Sequence, residues 1–166
     1  MILSLLGVSI IPLHPSARYI DRVQEIPVVL DDPDHLPRQA RPGDAGADLR
    51  AAHRVTLAPG ERTLVGTGVR VALPEGTFGM VTPRSGMAAR AGLGIVNSPG
   101  IIDAGYRGEI KVCLINHDPR QVIDIAAGER IAQLVVVPFL RAEFVITHAL
   151  DATVRGEDGY GSTGNA

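Results

Sequence analysis

Tryptophan is missing from this chain, and aromatic residues of all kinds make up only 4% of it. With so few rings, Tyr106 and Tyr160 stand out as side chains able to offer a flat face to a ligand. Cysteine occurs once, at Cys113, so no disulfide framework and no CxxC metal site exists within one chain. That fits a reducing, cytoplasmic setting, and the alternating apolar surroundings of Cys113 predict a buried strand thiol. Charge of one sign is also lacking. The formal net charge is −2, so no basic field points to nucleic acid. The five histidines, His14, His35, His53, His117 and His148, show no ligand spacing, and a histidine metal centre is not expected. The apolar run Ile2 to Pro12 is far too short to span a membrane. It has no basic segment before it and no small-residue cleavage site before Arg18, so residues 1–22 read as an N-terminal extension of unknown role. No membrane partner is expected.

What is present favours short strands joined by turns. The chain has 166 residues, long enough for one domain with a real core, and carries 19 glycines and 12 prolines. Strands are predicted over 24–30, from 48 to 52, from 56 toward the turn at Gly60, over 62–72, 78–82, 93–96, 109–116, 121–125, 130–138 and 142–148. Residues 37–46 read as a loop, and Ser85 to Ala91 is the one good helical segment. Many short strands at intervals of about 8 to 12 residues predict an all-β sandwich, jelly roll or barrel. That β-rich body is expected over residues 23–150, followed by a glycine-rich arm over 151–166.

Four segments carry candidate chemistry or symmetry. Gly100 to Glu109 reads as a hairpin, with apolar residues leading in, a glycine-rich turn, and an alternating strand leading out. Asp103 and Tyr106 in it serve either the backbone of the turn or a reaction: a carboxylate there can orient or deprotonate a water. The stretch Arg155 to Gly164 is either a frayed tail or an arm that orders over a ligand. In the second reading its glycines admit backbone N–H groups to phosphate oxygens, and Arg155, Ser162 and Thr163 add donors. Finally, Leu57-Ala58-Pro59-Gly60-Glu61 and Ile125-Ala126-Ala127-Gly128-Glu129 look alike, either as traces of a duplication or as one turn solution used twice.

Five segments then line up in order: Ala45 to Leu49, Pro83 to Ala88, Gly100 to Gly108, Gly128 to Leu134, and Arg155 to Gly164. This set resembles the five ordered motifs of the trimeric deoxyuridine triphosphatases (dUTPases), from about residue 23 to residue 164. The resemblance implies a β jelly roll with one short helix and a homotrimer whose active sites lie between subunits. It also implies hydrolysis of dUTP to dUMP and pyrophosphate with Mg²⁺ on the triphosphate, which supplies dUMP for thymidylate synthesis and keeps uracil out of DNA.

By position, the resemblance implies that Asp103 activates the attacking water and that Tyr106 packs on the deoxyribose, leaving no room for a 2′-hydroxyl. The loop from Gly94 to Ile102 would read uracil, with Asn97 assisting. Arg84, Ser85 and Gly86 would open the helix toward phosphate, and Gln133 would contact the phosphates. Asp48 would organise the region near metal and phosphates without a protein cage for Mg²⁺. From the arm, Arg155, Gly161, Ser162 and Thr163 would grip the phosphates and Tyr160 would stack on uracil. Tyr160 stands where many family members carry Phe, and Asp158 where Gly is common. Read one at a time, Asp48 also suits a turn, Arg84 a surface cation, Ser85 a helix cap and Gln133 a strand amide. A dCTP deaminase shares the fold, but it needs a Glu beside the base ring, and the Gly100 to Gly108 loop has none before Asp103. A non-catalytic trimeric binding module would lack the carboxylate or the arm.

Overall fold

The protein is described by a computed structural model, which covers residues 23–154 and 156. Among these residues the strands are β1 (Val28–Leu30), β2 (Arg38–Gln39), β3 (Ala47–Arg50), β4 (Val55–Leu57), β5 (Arg62–Gly66), β6 (Val69–Val71) and β7 (Thr77–Pro83). After helix α1 (Ser85–Ala91) come β8 (Leu93–Ile95), β9 (Gly100–Asp103), β10 (Lys111–Asn116), β11 (Ile123–Ile125) and β12 (Arg130–Pro138). All pairings are antiparallel. The largest sheet has the order β2-β3-β12-β7-β9, and a second has β5-β10-β8. Two further pairs, β1-β6 and β11-β4, complete the framework. The many-stranded all-β reading with a single short α-helix is borne out.

The core follows from alternation. In β10, Val112, Leu114 and Asn116 are buried while Lys111, Cys113 and Ile115 face the other way. In β7, Thr77, Gly79 and Val81 point inward. Leu49, Leu57, Val65, Val69, Ile110, Ile125 and Ile131 fill the interior between these sheets. Asn116, a fully buried polar side chain in this core, is fully satisfied. Its amide donates to the Leu57 carbonyl at 3.0 Å and to the Gln121 carbonyl at 2.8 Å, and its oxygen accepts from Asp118 N–H at 2.9 Å.

Several expectations are corrected. Residues 100–109 do not form a hairpin: β9 pairs with β7, whereas β10 pairs with β5 and β8. The segment is a crossover from one sheet to the other, because the turn is too long and irregular to bring the two strands together. The predicted strand over 62–72 is two strands, divided where Gly68 adopts φ +68° and turns the chain out of β5 into β6. The loop over 37–46 contains the short β2, and the strand expected over 24–30 is ordered as a strand only at Val28–Leu30. Residues 142–148 form no strand and are exposed, since no neighbouring backbone pairs with them. Cys113 is half-buried rather than buried, because the period of β10 sends it to the face opposite the core.

The two look-alike turns have one geometry. Glu61 Oε2 accepts from Ala58 N–H at 2.8 Å, and Glu129 Oε2 accepts from Ala126 N–H at 3.1 Å. Gly60 and Gly128 hold φ +74° and +78°. The strands that feed them, β4 and β11, pair antiparallel, so the turns sit at opposite ends of one ribbon.

Candidate active site

The register of the largest sheet determines which candidate residues meet. On β12, Gln133 lies opposite Asp48 of β3 on one side and Thr82 of β7 on the other. Arg84 follows two residues beyond Thr82, at the start of α1. Its Nε donates to Asp48 Oδ1 at 2.8 Å, and Arg130 Nη1 donates to Asp48 Oδ2 at 3.1 Å. The Asp48 side chain is only 11% exposed, and both of its oxygens are engaged by guanidinium groups. A β-bulge between Arg130 and Ala132 lets β12 bury Ile131 and Ala132 in succession and directs Arg130 toward Asp48. Gly46 leaves room for the Gln133 side chain: a Cβ there would lie 2.6 Å from Gln133 Oε1 and 3.1 Å from Gln133 Cβ. An open cleft beside this cluster is lined by Arg38, Arg50 and Arg130 together with Asp34, Gln39 and Asp48. Three guanidinium groups against the two carboxylates of Asp34 and Asp48 leave the cleft net cationic, a field suited to an anion.

Asp48 therefore sits in a strand and not a turn, and Arg84 is a half-buried ion-pair partner and not a surface cation. Ser85 does not cap the helix. It is the first helical residue, and the cap position belongs to Arg84, whose carbonyl accepts from Met87 and Ala88 N–H. The N–H groups of Ser85 and Gly86 precede the first intrahelical bonds and have no partner within the helix.

The second group of candidates is elsewhere. Asp103 ends β9 with its side chain exposed, opposite Phe78 of β7. A turn follows, closed by Tyr106 N–H to the Asp103 carbonyl at 3.0 Å. The Tyr106 hydroxyl donates to the Glu109 carbonyl at 3.0 Å, leaving the ring 44% exposed. Ile102 is half-buried against the core, and Asn97 is exposed in the loop before β9. Phe78 and Pro83 mark the two rungs of β7 nearest Asp103 and Arg84. Five residues of extended chain separate those rungs by about 17 Å. One chain thus brings Asp48, Arg84, Ser85, Gly86 and Gln133 together and holds Asp103 and Tyr106 apart from them. Arg155, Tyr160, Gly161, Ser162 and Thr163 lie outside the described residues.

A family model described as dUTPase matches residues 32–164. The chain is 63% identical over 132 residues to a deoxyuridine 5'-triphosphate nucleotidohydrolase of Cutibacterium acnes, covering 80% of this chain and 87% of the relative.

The chain belongs to the dUTPase family.

A Nocardia farcinica relative of the same name is 58% identical over 135 residues, covering 81% of this chain and 82% of its own length. Among solved structures, the Staphylococcus bacteriophage 80alpha dUTPase with dUPNHPP superposes with a TM-score of 0.78 at 31% identity. The match covers 86% of this chain and 100% of the phage chain. A dUTPase variant from phage phi11 of S. aureus, described as coordinating a structural Mg(II) ion, gives a TM-score of 0.71 at 28% identity, covering 78% of this chain and 100% of that one. The expected family, jelly-roll fold and nucleotidohydrolase class are borne out.

Among the described residues no group of three or more His, Cys, Asp or Glu side chains could hold a metal ion. Asp48, the one carboxylate in the cationic cluster, already accepts from two arginines. Such a donor set fits a metal that arrives on phosphate oxygens and keeps its waters. Sequence reasoning left Arg130 and Glu109 open between trimer and loop contacts. Both roles depend on neighbours distant in sequence: Asp48 for Arg130, and the Gly66–Gly68 corner for Glu109. No spacing rule exposes either. Among the described residues, no helix is long and apolar enough to cross a membrane.

Proposed function

We propose that the protein hydrolyses dUTP to dUMP and pyrophosphate in active sites shared between the subunits of a homotrimer. The observation that carries this reading is the separation, within one chain, of Asp103 from the Asp48–Arg84–Arg130 cluster. A triphosphate whose α-phosphorus faces Asp103 cannot also reach Arg84 and Ser85 about 17 Å along the same sheet. A second copy supplies the missing half. The exposed apolar residues Leu140, Phe144, Ile146 and Leu150 support the same reading, since nothing among the described residues covers them.

In the proposed site the Asp103 carboxylate accepts a proton from a water aligned with the α-phosphorus. The water oxygen bonds to that phosphorus, the bond to the α,β-bridging oxygen breaks, and pyrophosphate leaves. Arg84, the Ser85 hydroxyl, the Gly86 N–H and Gln133 bind phosphate oxygens. Asp48 holds the Arg84 guanidinium in position. Mg²⁺, bound to the triphosphate, supplies charge neutralisation. Tyr106 forms the wall against the sugar and excludes a 2′-hydroxyl. Asn97 and the backbone up to Ile102 read uracil. Arg155, Gly161, Ser162 and Thr163 close over the phosphates from the arm, residues 151–166, and Tyr160 stacks on the base. The reaction supplies dUMP and removes a precursor of uracil in DNA, in the cytoplasm.

The test is pyrophosphate release from dUTP, dCTP, dTTP and UTP with Mg²⁺, wild type beside Asp103→Asn. The wild type is expected to prefer dUTP strongly. The variant is expected to bind nucleotide and lose about 10²- to 10⁴-fold in rate. Equal rates on all four nucleotides, or a fully active variant, would refute the mechanism.

A further inference from the structure

Glu109 stands in the crossover between the two sheets and has no part in the mechanism above. Its carboxylate is largely buried, 19% exposed. Oε1 accepts the Gly68 N–H at 2.9 Å, and Oε2 lies 3.6 Å from Lys111 Nζ. The carboxylate occupies the space that a side chain at residue 66 would fill: a Cβ on Gly66 would lie 2.5 Å from Oε1 and 3.3 Å from Cδ. The next residue is clamped to the same corner. Ile110 N–H donates to the Val69 carbonyl at 2.8 Å, and its carbonyl accepts from Thr67 Oγ1 at 2.7 Å. The backbone at 109–110 is therefore held on three sides by the β5–β6 corner.

Tyr106 hangs from that backbone. Its hydroxyl donates to the Glu109 carbonyl, and its ring lies directly over Gly108. A Cβ on Gly108 would meet the ring at 2.5 Å from Cζ and 2.9 Å from Cε2, as well as the hydroxyl. The ring thus has one place to rest, set by the missing side chain below it and by an acceptor whose position Glu109 maintains.

We propose that Glu109 is a positioning residue for sugar discrimination, and that Gly108 shares the task. By seating the Tyr106 ring they set the preference for a deoxyribonucleoside over a ribonucleoside triphosphate. This rests on the reading of Tyr106 as the wall against the 2′ position.

The experiment compares kcat/KM for dUTP and UTP in the full-length protein and in Glu109→Ala, Glu109→Gln, Gly108→Ala and Tyr106→Ala. Glu109→Ala and Gly108→Ala are each expected to lower the dUTP/UTP ratio roughly tenfold or more, chiefly by raising activity on UTP relative to dUTP. Glu109→Gln keeps an oxygen that accepts the Gly68 N–H and is expected to restore the ratio. A purely structural role would depress both substrates equally and leave the ratio unchanged. That result, in both alanine variants, overturns the inference. Should Glu109→Ala fail to fold, Glu109→Asp decides, because its shorter side chain keeps the charge but draws the carboxylate back from the Gly68 N–H. If Tyr106→Ala lowers the ratio and the other two do not, the inference fails while the reading of Tyr106 stands. If Tyr106→Ala leaves the ratio unchanged, the reading itself fails.

Discussion

Asp48 shows how much one side chain is asked to do. Its two oxygens hold two arginines from different elements, one at the start of α1 and one at the start of β12, and its own exposure is low. Removing the carboxylate leaves Arg84 and Arg130 without their shared counter-charge and leaves Arg84, 20% exposed, poorly solvated. Asp48→Ala is expected to cost roughly 2 kcal/mol of stability, a partial loss because the Arg130 end reaches solvent. It is also expected to raise KM for dUTP, as Arg84 loses its fixed geometry. Urea denaturation and steady-state kinetics on the same preparation check both effects. The residue type and place of Asp48 were legible in the sequence. Its two partners were not, because ion pairs across strands depend on register.

Among the elements, α1 was legible to the residue: Ser85 to Ala91 was expected and is observed, ending at Gly92 in the left-handed conformation, φ +66°. β12 was equally clear, because its long apolar run has both flanking strands to pair with. The 100–109 segment was misread because a strand–turn–strand pattern looks the same whether its strands pair with each other or with different sheets. Asn116 ties such pieces together. It ends β10 and bonds both the end of β4 and the turn that leads to β11. The Arg120 and Gln121 N–H groups in that turn also hold the Asp118 carboxyl below the usual carboxylate range, the Gln121 bond being the larger cause. Asn116→Ala leaves two carbonyls and one N–H short of a partner and is expected to destabilise the fold by about 3 kcal/mol. Thermal and urea unfolding measure it. A loss well below 1 kcal/mol would mean that water replaces the amide there.

On the scale of the molecule, the sheet that joins β3, β12, β7 and β9 separates Asp103 from the Asp48–Arg84–Arg130 cluster. The shared site proposed above would make assembly a requirement for activity. Ending the chain at Val154 removes Arg155, Tyr160, Gly161, Ser162 and Thr163 while leaving every described strand in place. That truncated protein is expected to remain a folded trimer by sedimentation and to retain little dUTP hydrolysis. Full activity would take the arm out of the mechanism, and a monomer would show that the arm also holds the assembly together.

The all-β class and the single α-helix were determined by the sequence alone, and the candidate site residues were nominated there, because alternation, turn residues and short motifs are local properties. Sheet membership, the Asp48–Arg84–Arg130 cluster and the seat of Tyr106 on Gly108 and Glu109 were decided only by tertiary structure. Each depends on strand register and on space left by absent side chains, and neither is encoded within reach of a single segment.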